Sequence, residues 1–206
     1  MARYFDVNPD NPQQRSISQV AQIVRDDGLI AYPTDSGFAF GCAFGNVRGL
    51  DRIRRIRGLD QKHDFTLVVS EFAALGRYVI MDNWTFRAIK AATPGQYTFI
   101  LKATRDVPRA LQNPRKKTVG VRVPTNTTAR ALLAELDAPL LSSTLLLPGH
   151  DDVLTDGWTI KDTLDHELDA VLDSGDVGMN LTTVVDLSGD EPEILRIGAG
   201  DPEPFE

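Results

Sequence analysis

Hydroxyl side chains and arginines fall at the ends of predicted strands, where they could bind a small anionic ligand. Guanidinium groups bind carboxylates and phosphates through paired hydrogen bonds. Hydroxyls and arginines around one cavity would therefore suit a ligand that carries both carboxylate and phosphate groups. The hydroxyls belong to Thr34, Ser36, Thr98, Ser142, Ser143, Thr144, Thr182 and Thr183, and the arginines are Arg57, Arg122 and Arg196.

Residues 29–42 contain the densest group of such side chains. Residues 29–32 and 38–42 are apolar and predict two buried strands, and Pro33 is expected to end the first because proline lacks an N–H. Thr34, Asp35 and Ser36 occupy the elbow between the strands. Open α/β sheets bind ligands at strand ends. An ordinary turn marked by proline and glycine explains the same pattern.

Charge is distributed unevenly along the chain, which has a net charge of −7. Of the 22 basic residues, 13 lie in two windows, 48–63 and 102–122, while residues 151–206 hold 16 acidic residues. If the basic windows meet in space, they form an anion site. The alternative is two solvated basic faces paired with the acidic C-terminal third.

Composition indicates one globular domain over residues 1–206, with its core at about 15–200. We expect no membrane span, because no apolar run approaches about 20 residues, and the N-terminus lacks the apolar region of a signal peptide. The single cysteine, Cys42, excludes an internal disulfide and favours a cytoplasmic location. The three histidines lack metal-ligand spacing, so we predict no protein metal site.

Three common functional motifs are absent from the sequence. No P-loop pattern occurs, no Gly-x-Gly-x-x-Gly follows a strand, and Gly-x-Ser-x-Gly is missing. P-loop nucleotide hydrolysis, Rossmann-type dinucleotide binding and the usual serine hydrolase elbow are therefore not expected.

Strand and helix patterns alternate along the chain and predict an α/β fold with a mixed sheet. Strand patterns occur at residues 4–7, 29–32, 38–42, 65–69, 97–101, 118–123, 139–143, 170–173, 182–187 and 194–197. Helical patterns occur at residues 15–24, 47–57, 71–78, 84–92, 108–111, 127–136 and 159–168.

Several local features of these elements are also predicted. Gly28 and Gly58 are expected just after the ends of the first two helices, and Thr127 or Thr128 is expected to cap the helix that follows. Residues 198–200 are expected to end the ordered chain. Trp84 and Phe86, together with Ile89, are expected in the core.

The sequence resembles the YrdC-like superfamily, and within it the YciO branch. The resemblance runs through the whole chain and includes a Tyr-Pro-Thr-Asp-Ser-Gly elbow at 32–37. The other matching segments are residues 9–15, 93–102, 121–124, 147–149, 182–186 and 204–205. The resemblance implies a single domain with a twisted α/β sheet, flanked by helices, around a positively charged concave cavity.

The resemblance also implies an activity, the formation of L-threonylcarbamoyl-AMP and pyrophosphate from L-threonine, bicarbonate and ATP. In the superfamily this adenylate serves the threonylcarbamoylation of adenosine in tRNA. ATP would be a substrate accompanied by Mg²⁺. Positioning of the reactants and stabilisation of the leaving pyrophosphate by cations would supply most of the catalysis.

Individual positions acquire roles through this resemblance. Arg57 and Arg122 match catalytic positions, and Arg122 matches the arginine expected at the carboxylate or carbamate of threonine. Three hydroxyls match substrate-binding positions: Thr34, Thr144 and Thr182. Positions that contact ATP are matched by Arg57, Thr118 and Arg196.

Simpler structural roles account for the same residue types. Thr34 could satisfy the backbone after Pro33, and Arg57 could cap the C-terminal carbonyls of its helix. Arg122 and Arg196 could pair with acidic residues of the C-terminal third. Thr144 and Thr182 could form hydrogen bonds at strand ends.

Two positions depart from the family pattern. Leu59 replaces the second basic residue of a Lys-x-Arg element, and Leu146 replaces the asparagine of a Ser-x-Asn element. A charge-assisted contact is worth about 1.5–3 kcal/mol, so each loss would weaken nucleotide binding or turnover. Arg54, Arg55, Lys62 or the loop at 115–117 could compensate.

Two alternatives to this synthase remain. The basic windows and the two leucines also fit a non-catalytic protein that binds tRNA or double-stranded RNA, with an affinity that falls steeply with salt. A related adenylate-forming enzyme that uses another amino acid fits the site residues as well.

Overall fold

Ten strands of the described chain form one mixed sheet, as the alternating pattern predicts. The computed structural model describes residues 1–60, 63–150, 154–175, 177 and 180–206. Lys62, residues 151–153 and part of the turn after the 170–173 strand lie outside the described residues. The strands are β1 (Arg3–Asp6), β2 (Ile30–Thr34), β3 (Gly37–Ala43), β4 (Thr66–Val68), β5 (Tyr97–Lys102), β6 (Thr118–Arg122), β7 (Leu140–Thr144), β8 (Ala170–Asp173), β9 (Thr183–Asp186) and β10 (Glu193–Arg196).

Helices flank this sheet. The α-helices are α1 (Gln14–Arg25), α2 (Val47–Arg57), α3 (Asn83–Ala92), α4 (Thr127–Leu136) and α5 (Gly157–Leu164), with 3₁₀ turns at Phe72–Arg77, Arg109–Leu111 and Glu203–Phe205. None of the helices within the described ranges is both long and apolar enough to cross a membrane.

The strand order brings distant parts of the chain together. It runs β1-β8-β2-β3-β7-β4-β6-β5-β9-β10. The β2–β3 hairpin is antiparallel, β3 pairs with β7, and β4 lies between β7 and β6. Polar residues at the ends of β2, β6, β7 and β9 therefore approach one another across the middle of the sheet.

Pro33 lies inside β2 and does not end it, so that prediction is wrong. The residue pairs with Phe38 in the β2–β3 hairpin. On the opposite edge, β8 pairs with β2 only at Ile30 and Ala31, so no ladder bond with β8 requires an N–H from Pro33. The hairpin pairing thus continues through Pro33 to Thr34.

Two helix boundaries also differ from prediction. Gly58 adopts the expected left-handed conformation (φ 64°), but after α1 this conformation belongs to Asp27 (φ 64°) and not to Gly28. Gly28 is required for close packing, because a Cβ there would lie 2.5 Å from Ile23 Cγ2. Asn126, and neither predicted threonine, caps α4 by accepting a hydrogen bond from Ala129 N (2.9 Å).

Two hydrophobic cores cover the two faces of the sheet. One contains α1 and α4 packed on the face that carries Ile30 and Tyr32, and the other contains Leu50 and Ile53 of α2 with the opposite face. Cys42 is buried in the second core.

The helix α3 contributes less to the core than predicted. Ile89 is fully buried, whereas Trp84 and Phe86 are 44% and 43% exposed, which contradicts their predicted core positions. The helical period explains the difference, because Trp84 and Phe86 do not share the buried stripe of Thr85 and Ile89.

The chain remains ordered beyond residue 200, so its predicted end at residues 198–200 is wrong. Phe205 is only 2% exposed. Its ring lies 5.8 Å from that of Tyr97 and 5.4 Å from that of Phe99. The C-terminal residues therefore pack against β5.

Candidate functional site

A cavity of about 360 Å³ opens on one face of the sheet. Alternate residues of several strands line it, because side chains in a strand point to opposite faces in turn. Three of the residues between them, Phe99, Val121 and Leu67, are buried in the opposite core, whereas Ser143 also lines the cavity. The lining pairs are Thr66 with Val68, Thr98 with Ile100, Gly120 with Arg122, Ser142 with Thr144, and Thr182 with Val184.

The fold brings most of the predicted site residues to this cavity. Three guanidinium groups and one carboxylate, that of Asp64, are among the lining side chains. The predicted residues that line the cavity are Thr34, Arg57, Arg122, Thr144, Thr182 and Arg196.

Thr118 is the exception among the predicted residues. It is fully buried and does not line the cavity, although it shares a strand face with Gly120 and Arg122. Its hydroxyl donates a hydrogen bond to Asp64 Oδ1 (3.1 Å). Thr118 is therefore bonded to a residue that lines the cavity, and its contact with ATP stays a prediction.

Arg122 is fixed by two residues of the β2–β3 elbow. Its guanidinium donates to Ser36 Oγ (2.8 Å) and to Asp35 Oδ1 (2.7 Å). The partner acid therefore comes from the elbow and not from the C-terminal third. Arg122 is only 8% exposed, and the two hydrogen bonds hold its guanidinium in the wall of the cavity.

Thr34 uses its hydroxyl within the turn. The group donates to the Gly37 carbonyl (2.7 Å) and accepts from the Ser36 N–H (3.1 Å). This is the structural role that the turn hypothesis predicts. Thr34 therefore shapes the wall of the cavity, and its hydroxyl has little capacity left for a ligand.

Arg57 extends from the C-terminal end of α2 into the cavity. It donates from Nη1 to Ser143 Oγ (2.5 Å) and from Nε to the Leu146 carbonyl (3.2 Å), so it does not cap its own helix. Burial, followed by the charge of Arg196, lowers the pKa of Arg57 to about 10. No carboxylate among the described residues forms an ion pair with Arg57.

Arg196 enters the cavity from β10. It donates to the backbone carbonyl of Thr182 (2.9 Å) and to its Oγ1 (3.0 Å), and this Oγ1 lies 3.0 Å from Thr98 Oγ1. Burial and then the charge of Arg122 lower the pKa of Arg196. Its acceptors are neutral, like those of Arg57.

His63 and Asp64 line the cavity and were not predicted as site residues. The pKa of His63 is lowered to about 4 by burial and by the charges of Arg57 and Arg54. The charge of Asp60 acts in the opposite direction. Burial raises the pKa of Asp64, although hydrogen bonds from Thr118 and Asn113 oppose that shift. The position of both residues directly before a predicted strand was the available sequence signal.

Some residues of the two basic windows line the cavity, and others lie at the surface. Arg57 and Arg122 line the cavity, one from each window. Other members pair with acids, mostly from the C-terminal third. These pairs are Arg52 with Asp169, Arg54 with Asp51, Arg55 with Glu167, and Lys116 with Asp186.

The two leucines that replace polar family residues occupy different places. Leu59 packs against the hydrophobic core, and Leu146 lines the cavity while its carbonyl holds Arg57. Across the described ranges, no cluster of three or more histidine, cysteine or acidic side chains could hold a metal ion.

Sequence comparison identifies similar proteins over the whole chain. The chain is 47% identical over 205 residues to the uncharacterized protein YciO of Escherichia coli strain K12, with both proteins fully covered. It is 33% identical over 124 residues to the threonylcarbamoyl-AMP synthase of Nitrosococcus oceani, which covers 60% of this chain and 66% of that protein.

Solved structures share the fold. The crystal structure of E. coli YciO superposes with a TM-score of 0.97 at 47% identity and full coverage of both chains. Sua5 of P. abyssi complexed with L-threonine superposes with a TM-score of 0.85 at 22% identity, over 95% of this chain and 57% of that chain. The sequence model of the Sua5/YciO/YrdC protein family, whose description is "Telomere recombination", matches residues 22–198. The chain therefore belongs to the Sua5/YciO/YrdC family.

Proposed function

We propose that the cavity binds ATP and L-threonine and forms L-threonylcarbamoyl-AMP from them and bicarbonate. The observation that carries this proposal is the pair Arg57 and Arg196, whose guanidiniums enter one cavity and have only neutral acceptors among the described residues. Two cations without a carboxylate favour a bound polyanion. The N. oceani synthase and the threonine complex of P. abyssi Sua5 support the choice of substrates.

Charge repulsion between the arginines favours binding of the phosphate chain of ATP at Arg57 and Arg196. Arg196 lowers the pKa of Arg57, and Arg122 lowers that of Arg196, so the guanidiniums repel one another. An anion among them would relieve this repulsion, and the same groups would stabilise the charge that develops on departing pyrophosphate.

In the part of the cavity that would bind L-threonine, Arg122 and the hydroxyls of Thr144 and Thr182 would contact the substrate. Arg122 is held by Ser36 and Asp35 in one orientation, which suits it to orient a carboxylate or carbamate. The hydroxyl of Thr144 lies at the cavity and forms no hydrogen bond with the described residues, so it is available to a substrate. Thr182 also lines the cavity, but it accepts a hydrogen bond from Arg196.

The reaction needs positioning more than a covalent catalyst. The amino group of threonine adds to bicarbonate to give a carbamate with loss of water. A carbamate oxygen then attacks the α-phosphorus of ATP, and the bond to the β-phosphate oxygen breaks to release pyrophosphate. Leu59 and Leu146 remove two polar contacts expected near the nucleotide, so we expect slow turnover.

Threonine-dependent pyrophosphate release tests the proposal. The assay combines ATP, Mg²⁺, bicarbonate and L-threonine, with mass-spectrometric detection of the adenylate and a panel of other amino acids. We expect Arg57→Ala to lower the rate by about one to two decades. Arg55→Ala is the matched control, because Arg55 lies on the same helix but is exposed and paired with Glu167.

Three outcomes distinguish the hypotheses. Turnover with threonine in the wild type and the Arg55 variant would support the synthase. A wild-type rate no higher than that of Arg57→Ala would contradict it, and preference for another amino acid would favour the related adenylate-forming enzyme.

RNA binding without catalysis is less well supported by the charges. Arg52, Arg55 and Lys116, which belong to the basic windows, form ion pairs with acidic residues of the same chain. These pairs reduce the positive charge available to a phosphate backbone. RNA binding remains a prediction, and a salt titration of tRNA and double-stranded RNA affinity tests it: a steep loss with salt would support it.

A further inference from the structure

His63 is a cavity residue to which the proposed reaction gives no role. Its Nε2 lies 3.4 Å from Ser143 Oγ, and the same oxygen accepts the hydrogen bond from Arg57 Nη1 (2.5 Å). Its ring meets that of Phe65 edge to face, with centroids 5.3 Å apart. The imidazole and the Arg57 guanidinium therefore share one hydroxyl and face the same part of the cavity.

The charges around His63 are mainly positive. Arg54 and Arg57 approach it from α2, and Arg54 lies over the Phe65 ring, 5.3 Å from its centroid. The Nε of Arg54 is buried without a hydrogen-bond partner within the described chain. The nearby acidic groups are Asp60, which opposes the two arginines, and the adjacent Asp64. Burial and these cations keep the imidazole neutral near pH 7.

We propose that His63 is a cationic ligand, additional to Arg196, for an anion bound at Arg57, and that it takes up a proton as the anion binds. A bound anion would reverse the local field, because an opposite charge within about 4–6 Å favours the charged form of a histidine. The protonated imidazole could then donate a hydrogen bond to the anion. His63 would thus add a positive charge at Arg57 in a chain where Leu59 replaces a basic residue of the family pattern.

This inference rests on the phosphate site of the proposed function but not on the synthase reaction. Its ligand class is the phosphate chain of a nucleotide, and any dianion at Arg57 should produce the same response. At pH values around the free and bound titration midpoints of His63, the anion-bound protein carries more protons than the free protein. Anion affinity should therefore rise as the pH falls, by up to about tenfold for each pH unit by which the histidine midpoint increases.

Histidine NMR with inorganic sulfate tests the proton uptake. Sulfate remains a dianion throughout the titration, and the exposed His150 and His166 serve as internal references. The His63 signals are assigned by their loss in His63→Gln. We expect sulfate to raise the pH at the midpoint of the His63 titration by about one unit or more. The titration midpoints of His150 and His166 should not change on addition of sulfate.

The possible failures separate the two proposals. Sulfate binding at Arg57, shown by its loss in Arg57→Ala, with an unmoved His63 midpoint would overturn this inference alone. No sulfate binding would overturn both the inference and the proposed phosphate site. A shifted His63 midpoint without threonine-dependent turnover would support the inference and contradict the synthase.

Calorimetry of the variants gives an independent measurement. If sulfate raises the His63 titration midpoint from about 4 by about one unit, wild type and the matched control His166→Gln should bind sulfate about fivefold more tightly at about pH 4 than at about pH 7. His63→Gln should bind with nearly the same affinity at both values. An equal pH dependence in all three proteins would overturn the proposal.

Discussion

The ion pair between Asp35 and Arg122 connects the β2–β3 elbow to β6. Its side chains are only 8% and 10% exposed, and the bonded atoms lie 2.7 Å apart. Asp35 Oδ2 and Arg122 Nε are buried and have no hydrogen-bond partners within the described chain. Burial of the pair therefore has a desolvation cost, which one hydrogen bond from Arg122 to Ser36 only partly offsets. The pair fixes the orientation of Arg122.

Asp35→Asn should destabilise the protein substantially. The amide keeps the shape of the carboxylate but leaves the Arg122 charge buried without a counterion. Removing one partner of a buried ion pair costs about 3–5 kcal/mol, which urea unfolding would measure as a lower free energy of unfolding.

Asp51→Asn is the control for this substitution. Asp51 is 66% exposed and lies 3.4 Å from Arg54 Nη1 in a pair on one helix. We expect its loss to cost less than about 1 kcal/mol. Equal losses in the two variants would show that burial does not set the strength of the Asp35 pair.

At the scale of elements, Asn126 rather than Thr127 or Thr128 should stabilise the N-terminus of α4. Asn126 Oδ1 accepts from Ala129 N (2.9 Å), whereas Thr127 is exposed. Asn126→Ala should lower the free energy of unfolding by about 1 kcal/mol, and Thr127→Ala should have a smaller effect. The reverse order in thermal or urea unfolding would contradict this assignment.

The α4 cap also shows why the sequence predicts helices better than their ends. Apolar spacing defined each helix body, but Asn126, Thr127 and Thr128 are all common cap residues, and backbone geometry alone selects among them. Pro33 was misjudged for a related reason. Its missing N–H disrupts a strand only where a partner needs that donor, and this depends on the strand order.

The site was predictable to the extent that it depends on side chains at strand ends. Arg57, Arg122 and Arg196 reach one cavity, and the sequence had grouped them by residue type. The hydrogen bond from Thr118 to Asp64 and the location of His63 beside Arg57 depend on β4 lying next to β6 and β7. That adjacency joins segments far apart in the sequence, so local patterns carry no signal for it.

At the scale of the whole molecule, the cavity wall and the C-terminal residues share one strand. Thr98 and Ile100 of β5 face the cavity, while Phe99 between them points to the opposite core. Phe205 packs on Phe99 and Tyr97 from that side. The last residues of the chain therefore support the strand that carries part of the cavity wall.

Phe205→Ala should destabilise the whole domain, since a nearly fully buried aromatic ring is removed from beneath β5. Truncating a buried phenylalanine costs about 3–5 kcal/mol, which corresponds to a decrease in Tm of about 6–20 °C for a chain of this size. Ile197→Ala is the control, because Ile197 is 69% exposed and its loss should change Tm little. Calorimetry gives both values. If the two variants melted at the same temperature, the C-terminal segment would not be part of the cooperative core, and the support of β5 would have to come from residues before 200.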